Sequence, residues 1–370
     1  MHSVKFERNI NKYKICYVST YKAELGDMDM EQSGLKKDRI FWIDIAKGIL
    51  IFIVFWGHIE TTGDTISTAI FSMHMPAFFV LSGYTFKYID NFKKFLSRKA
   101  ETLLFPYFFF CIIGACIHLL YGRYELFGTE MLRQLLVTVQ PDYLYSGGGW
   151  FLIALFWANI YMYIWVKYFE QFDLAFKLIL AFIIYYIASN ILYINSFMNI
   201  ERIPLKIDSS FMAFFFMLVG FYLNKNNAIQ KISNHKLIYA VIFGLAYVPL
   251  MKANGWCNVA NCVYNNYIFY FVESVGGTLL IILLSMSIEE RKRFGGGGGK
   301  ILSSIGRVSL PMFMAHGFFL SYMINQFNIQ VGVNVNGIKS FICTFCLYIV
   351  IYPIGIFYNY AISGLKYRFK

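Results

Sequence analysis

Charge is what this chain has least of. Of its 370 residues only 15% are Asp, Glu, Lys or Arg, while 58% are hydrophobic and the mean hydropathy is +0.53. A soluble domain averages about 25% charged and about 45–50% apolar residues. The shortage excludes an intrinsically disordered chain, which depends on charge and low hydrophobicity, and argues against a soluble α/β enzyme. Other signals are missing too. The seven cysteines follow no zinc-site spacing. Residues 1–38 lack the apolar core of a secretory signal. The run Gly295–Gly299 is not followed by the Lys-Ser/Thr of a phosphate-binding loop, and reads as a flexible spacer. No pair of Gly/Pro-interrupted spans recurs in the two halves, so the usual mark of an inverted-repeat transporter is lacking.

Long apolar runs are what the chain does have. Segments near 42–59, 67–87, 103–121, 148–167, 174–194, 209–223, 237–252, 267–288, 308–326 and 339–362 each approach the length that crosses a bilayer, which is about 20 residues. The fold class expected is all-α: a polytopic integral membrane protein with about ten transmembrane helices. The expected organisation is a polar extension over 1–38, a membrane domain over 39–365 and a short basic tail over 366–370. The 39 Phe and 28 Tyr suit lipid-facing surfaces and interfacial belts. Lys and Arg crowd alternate loops; only Arg123, Arg133, Arg202, Lys206, Lys252 and Lys339 fall in the others, and Lys47 falls within the first span. That alternation predicts both termini in the cytoplasm. It also accounts for the net charge of +12 as topology rather than a nucleic-acid partner. Cys257 and Cys262 then lie outside, where they could pair or stay free.

Ionisable groups inside a span are costly and mark functional sites by default. The first span carries Asp44, Lys47 and His58 in DIAKGILIFIVFWGH. At helical spacing Lys47 lies about 60° and His58 about 40° from Asp44, so all three share one face, with Lys47 and His58 about 16 Å apart along the axis. That stripe must face a polar interior, unless Asp44 and Lys47 form an interfacial ion pair. The second span reads FSMHMPAFFVLSGY. His74 is expected at its outer entrance, level with His58, as a second catalytic imidazole or as a helix-start cap. Ser82 and Gly83 can admit a close neighbouring helix; Ser82 as a nucleophile lacks a base in the sequence around it. Trp150 follows three glycines at an outer membrane edge, where a Trp anchors the interface. His316 sits mid-span, as a site residue or a packed histidine.

These segments together resemble the membrane acyltransferase-3 family, especially its sugar O-acetylase (fucose 4-O-acetylase-like) branch. Lys47 and His58 match its basic residue and histidine spaced by ten residues in the first span, and His74 to Tyr84 match its second-span motif. SRKAETLLFPY, GGGWFLIALF and IGRVSLPMFMAHGFF match three more, in family order. Two departures stand out: Glu101 occupies the second position of the family's Arg-x-x-Arg, and Phe313 stands where Tyr is usual.

The resemblance implies an O-acyltransferase of the cell membrane, moving an acyl group from cytoplasmic acyl-CoA, with acetyl-CoA the foremost donor, to a hydroxyl of a surface or lipid-linked sugar. No permanently bound cofactor, metal or nucleic acid is implied, and a homo-oligomer stays open. In that scheme His58 is the base or transient acyl carrier, Lys47 and Asp44 complete the catalytic stripe, and His74, Trp150, His316 and Ser82 meet substrate. Arg98 and Lys99, in a basic inner loop, meet the CoA phosphates. A polysaccharide or lipid-linked-sugar transporter is the alternative.

Overall fold

In lipid a backbone must satisfy its own hydrogen bonds, so apolar runs of spanning length become helices. A computed structural model describes residues 40–120, 148–200, 202–293, 297–327 and 335–368. The expectations for 1–38, for the loop holding Arg123 and Arg133, and for Gly295 and Gly296 lie outside the described residues. The helices are α1 (Phe41–Ile59), α2 (Thr65–Tyr84), α3 (Phe92–Lys99), α4 (Phe105–Leu120), α5 (Gly149–Ile164), α6 (Leu174–Ser189) and α7 (Ile191–Phe197). They continue with α8 (Ile207–Lys225), α9 (Ala228–Ser233), α10 (Lys236–Asn254), α11 (Tyr267–Arg293), α12 (Gly298–Arg307), α13 (Ser309–Phe327) and α14 (Gly337–Arg368). Among the described residues the β-type pairing is a single bridge, Asn258 to Val263.

Among the described residues, eight helical segments are long and apolar enough to cross a membrane. The fifth expected span is instead α6 and α7, bent by 64° at Asn190. The Asn190 amide donates to Tyr186 O at 2.9 Å, the side-chain-to-backbone bonding by which Asn competes with a continuing helix. The ninth expected span appears as α13, with a shorter apolar stretch over Ser309–Leu320. The third begins earlier than its apolar run suggests: α3 passes through a π-helical turn, Ala100–Leu104, into α4. Arg98 and Lys99 therefore stand on a helix, not in a loop. His74 is also displaced from its expected place. It lies in the interior of α2 with Pro76, so a helix-start cap is ruled out.

Small residues set the closest helix crossings. A Cβ at Gly83 of α2 would lie 1.9 Å from Met217 O of α8, and one at Gly220 would lie 1.9 Å from Val80 O, so the pair of glycines brings two backbones together reciprocally. Between α1 and α12 the same device recurs, with Gly48 against Leu302 O and Gly306 against Asp44 O. Polar bonds tie further pairs. Ser274 Oγ of α11 donates to Ser72 O at 2.6 Å, and Tyr348 of α14 donates to Gly48 O at 2.6 Å. Helices α1, α2 and α5 are mostly buried, whereas α10 presents Leu237, Ile238, Val241, Ile242 and Leu245 outward, as a lipid-facing helix does.

Candidate active site

The stripe on α1 does face the protein interior, and each of its groups meets a different helix. Asp44, near the helix start, faces Arg307 Nε of α12 at 3.5 Å. Lys47 lines a pocket of about 120 Å³ with Phe78 and Ser82 of α2, Phe151 and Leu155 of α5, and Ser309, Leu310 and Phe313 of α13. His58, at the far end, lies edge-on to His316 of α13, ring centroids 5.0 Å apart. His58 also borders Phe71 of α2 at 5.9 Å, and Phe71 packs on His74 at 5.0 Å. Three imidazoles expected from separate spans are thus gathered around one point. His58 lies within Coulombic range of both His74 and His316.

Their hydrogen bonds fix the tautomers. His58 Nδ1 lies 2.8 Å from Val54 O, His74 Nδ1 2.6 Å from Ile70 O, and His316 Nδ1 bonds Phe313 O. A carbonyl only accepts, so each Nδ1 carries the proton and each Nε2 keeps its lone pair when the ring is neutral. His74 and His316 are buried, while His58 keeps part of its surface accessible. Of the three, His58 is the one that keeps accessible surface. Among the described residues no three His, Cys, Asp or Glu side chains group as metal ligands.

A series of ring contacts links the pocket to the histidines. Phe313, which lines the Lys47 pocket, has its ring 5.5 Å from that of His316, and His316 touches His58. Phe55 stacks on His316 from the α1 side at 5.1 Å. Ser82 gives its hydroxyl hydrogen to Phe78 O at 2.8 Å, turning its oxygen lone pairs to the pocket it lines. Trp150 is placed otherwise: at 7% exposure it is packed into the core in the first turn of α5, against Phe151. Arg98 is exposed on α3, and Lys99 lies over the rings of Phe86 and Phe95, so neither lines the pocket.

Residues that the sequence reading did not single out border the site. Trp256, in the loop between α10 and α11, packs on Phe71 at 5.3 Å, and its indole N–H is buried with no partner among the described residues. Asn265 holds that loop by donating to Asn254 O and Trp256 O. Glu60, just past His58, is buried and accepts from Trp56 Nε1 at 3.0 Å, from Gly337 N at 3.1 Å and from Ser340 Oγ, which clamps the end of α1 to the start of α14. Its place directly after WGHI could have flagged it.

Cys257 and Cys262 are free and buried. Cys257 Sγ faces Glu273 Oε1 at 3.8 Å, whereas Cys262 Sγ faces Ser209 and Arg202. Burial, then the charge of Glu273 and the hydrogen bond to it, push the Cys257 thiol up. Burial and then Asp208 push Cys262 up against the opposing Arg202.

A family model described as an acyltransferase domain matches residues 40–366. No curated protein and no solved structure matches the chain.

Proposed function

This chain belongs to the acyltransferase-3 family and is a multi-pass membrane acyltransferase, and from that premise we propose that it carries an acyl group from cytoplasmic acyl-CoA to a hydroxyl of a surface or lipid-linked sugar. The observation that supports this reading is the series of ring contacts that runs from the Lys47 pocket through Phe313 and His316 to His58. Lys47 supplies one cation in an otherwise largely apolar pocket, suited to the acyl thioester end of the donor. At the other end His58 Nε2 takes the proton of the acceptor hydroxyl as its oxygen bonds to the acyl carbon. The C–S bond breaks, and the thiolate of CoA leaves with the proton from His58. His316 and Phe55 hold the approach to His58 from two sides. The donor is acetyl-CoA in the first instance, and the cell membrane is the place where both substrates meet. The transporter reading is not favoured, because the family match is to an acyltransferase domain.

Calorimetric titration of the detergent-solubilised protein with a non-hydrolysable acetyl-CoA analogue tests the donor side. Lys47→Ala is expected to weaken binding, and Lys47→Arg less so because the charge is kept. Loss of both Arg98 and Lys99 should cost about 1–3 kcal/mol, the range of charge-assisted hydrogen bonds. Unchanged affinity in all of these variants would place the donor elsewhere. Mass spectrometry of surface glycans with and without the protein tests the acceptor side: loss of O-acyl groups is expected, and identical glycans would reject a sugar acceptor.

A further inference from the structure

We propose that Phe313 sets the length of acyl chain that reaches His58, and that the donors it admits are short. The inference rests on the reading that the acyl arm enters through the Lys47 pocket. Three observations carry it. Phe313 is the pocket-lining side chain whose ring also touches His316, so it stands between the pocket and the histidine pair. The ring is held from several directions: Phe151 meets it edge-on at 5.4 Å, His316 tilts against it, and Gly148 lies behind it. A Cβ at position 148 would fall 2.5 Å from Phe313 Cε1, so the ring rests against bare backbone that cannot yield as a side chain would.

The space in front of that ring is small. The pocket holds about 120 Å³, below the range of about 300–1,000 Å³ typical of ligand sites. Phe78, Phe151, Leu155 and Leu310 close it with apolar surface, and Lys47, Ser82 and Ser309 supply the polar atoms. A thioester with a two- to four-carbon acyl group matches that room and lining. A longer chain would have to displace the Phe313 ring toward Gly148. Each methylene that a fixed apolar pocket gains or refuses changes kcat/KM by about 10–200-fold.

The test uses the full-length protein in detergent with acetyl-, butanoyl- and hexanoyl-CoA, reading release of the CoA thiol with water as the acceptor. In the wild type kcat/KM should fall at least tenfold from acetyl- to hexanoyl-CoA. Phe313→Ala should raise the hexanoyl-to-acetyl ratio at least tenfold. Phe313→Leu should raise it less, and it carries the test alone should the alanine variant fail to fold. Gly148→Ala, which pushes on the ring from behind, should lower butanoyl turnover relative to acetyl. A hexanoyl-to-acetyl ratio that is the same in the wild type and in every folded Phe313 variant overturns the proposal. Failure of the underlying reading looks different: the wild type releases thiol from none of the three donors, or His58→Ala releases it at the wild-type rate.

Discussion

His316 presents its ring to the edge of His58 at 82°, centroids 5.0 Å apart, although the two residues belong to helices at opposite ends of the chain. Each ring is tied through Nδ1 to a carbonyl of its own helix, so neither can rotate to serve the other as a donor without giving up that bond. On the proposed reading their roles differ: His58 meets substrate, and His316 holds His58 from behind. His58→Ala is expected to lower acyl transfer by about 10²–10⁴-fold, the usual worth of a general base, with membrane insertion intact. His316→Ala should cost less, and should shift the pH profile of the remaining activity because the environment of His58 changes. Steady-state rates across pH on reconstituted protein measure both. A correctly inserted His58→Ala protein with full activity would refute the assignment.

Glu60 makes a stability prediction free of any assumption about the reaction. Replacing it by alanine removes an acceptor from the Trp56 indole N–H, the Gly337 amide and the Ser340 hydroxyl; the indole keeps Ser340 Oγ at 2.9 Å and the hydroxyl keeps Gly337 O, so the Gly337 amide is the donor left stranded. Unfolding in detergent should become easier by about 1–3 kcal/mol, the cost of leaving a buried donor unpaired. Glu60→Gln retains one acceptor oxygen and should lose less. A thermal transition unmoved by Glu60→Ala would mean that water reaches that donor.

Gly83 and Gly220 form a second structural test. Even one methyl at Gly83 meets the Met217 carbonyl, so Gly83→Ala should destabilise the protein by about 1–3 kcal/mol, the cost of overpacking. The double variant with Gly220→Ala should cost less than the sum of the single ones, because the first methyl already separates α2 from α8. Thermal midpoints of the three variants decide it.

The thiols give a pH prediction. The sequence places Cys257 and Cys262 outside, paired or free; both are free and buried and both have raised pKa values, for the causes given above. A raised pKa means that the reactive thiolate is scarcer at neutral pH than for an exposed cysteine and grows only at higher pH. Maleimide labelling of the native protein should therefore be slow at pH 7, accelerate with rising pH and become fast at any pH above 7 once the protein is unfolded. Rapid stoichiometric labelling of the native protein at pH 7 would contradict this burial.

The helices were legible in the sequence because lipid imposes a simple rule of length and apolarity, and α1, α8 and α10 start and stop within a few residues of their apolar runs. The polar stripe on α1 was legible for the same reason: helical spacing alone places Asp44, Lys47 and His58 on one face. What the stripe would meet was not. Arg307 as the partner facing Asp44, and Phe313 beside Lys47, depend on how α12 and α13 cross α1, and glycine-mediated crossings leave no periodic trace. Asn190 hid a bend because one polar residue hardly changes the hydropathy of a span. Trp256 escaped notice because its position depends on a loop folded by Asn265, not on any helix.

The clamp at the end of α1 bears on how the protein is made. Glu60 finds Ser340 some 280 residues later in the chain, and Gly48 O receives its bond from Tyr348 some 300 residues later. The α1 span thus leaves the ribosome long before its polar partners on α14 are synthesised. During all that time Lys47, His58 and Glu60 stand in or beside the bilayer without α12, α13 and α14 to cover them, and contacts so distant in sequence close slowly. The nascent chain must shelter its first helix until its last arrives. A truncation that ends before α14 should for that reason leave a species that membrane quality control recognises by α1, not by the missing segment.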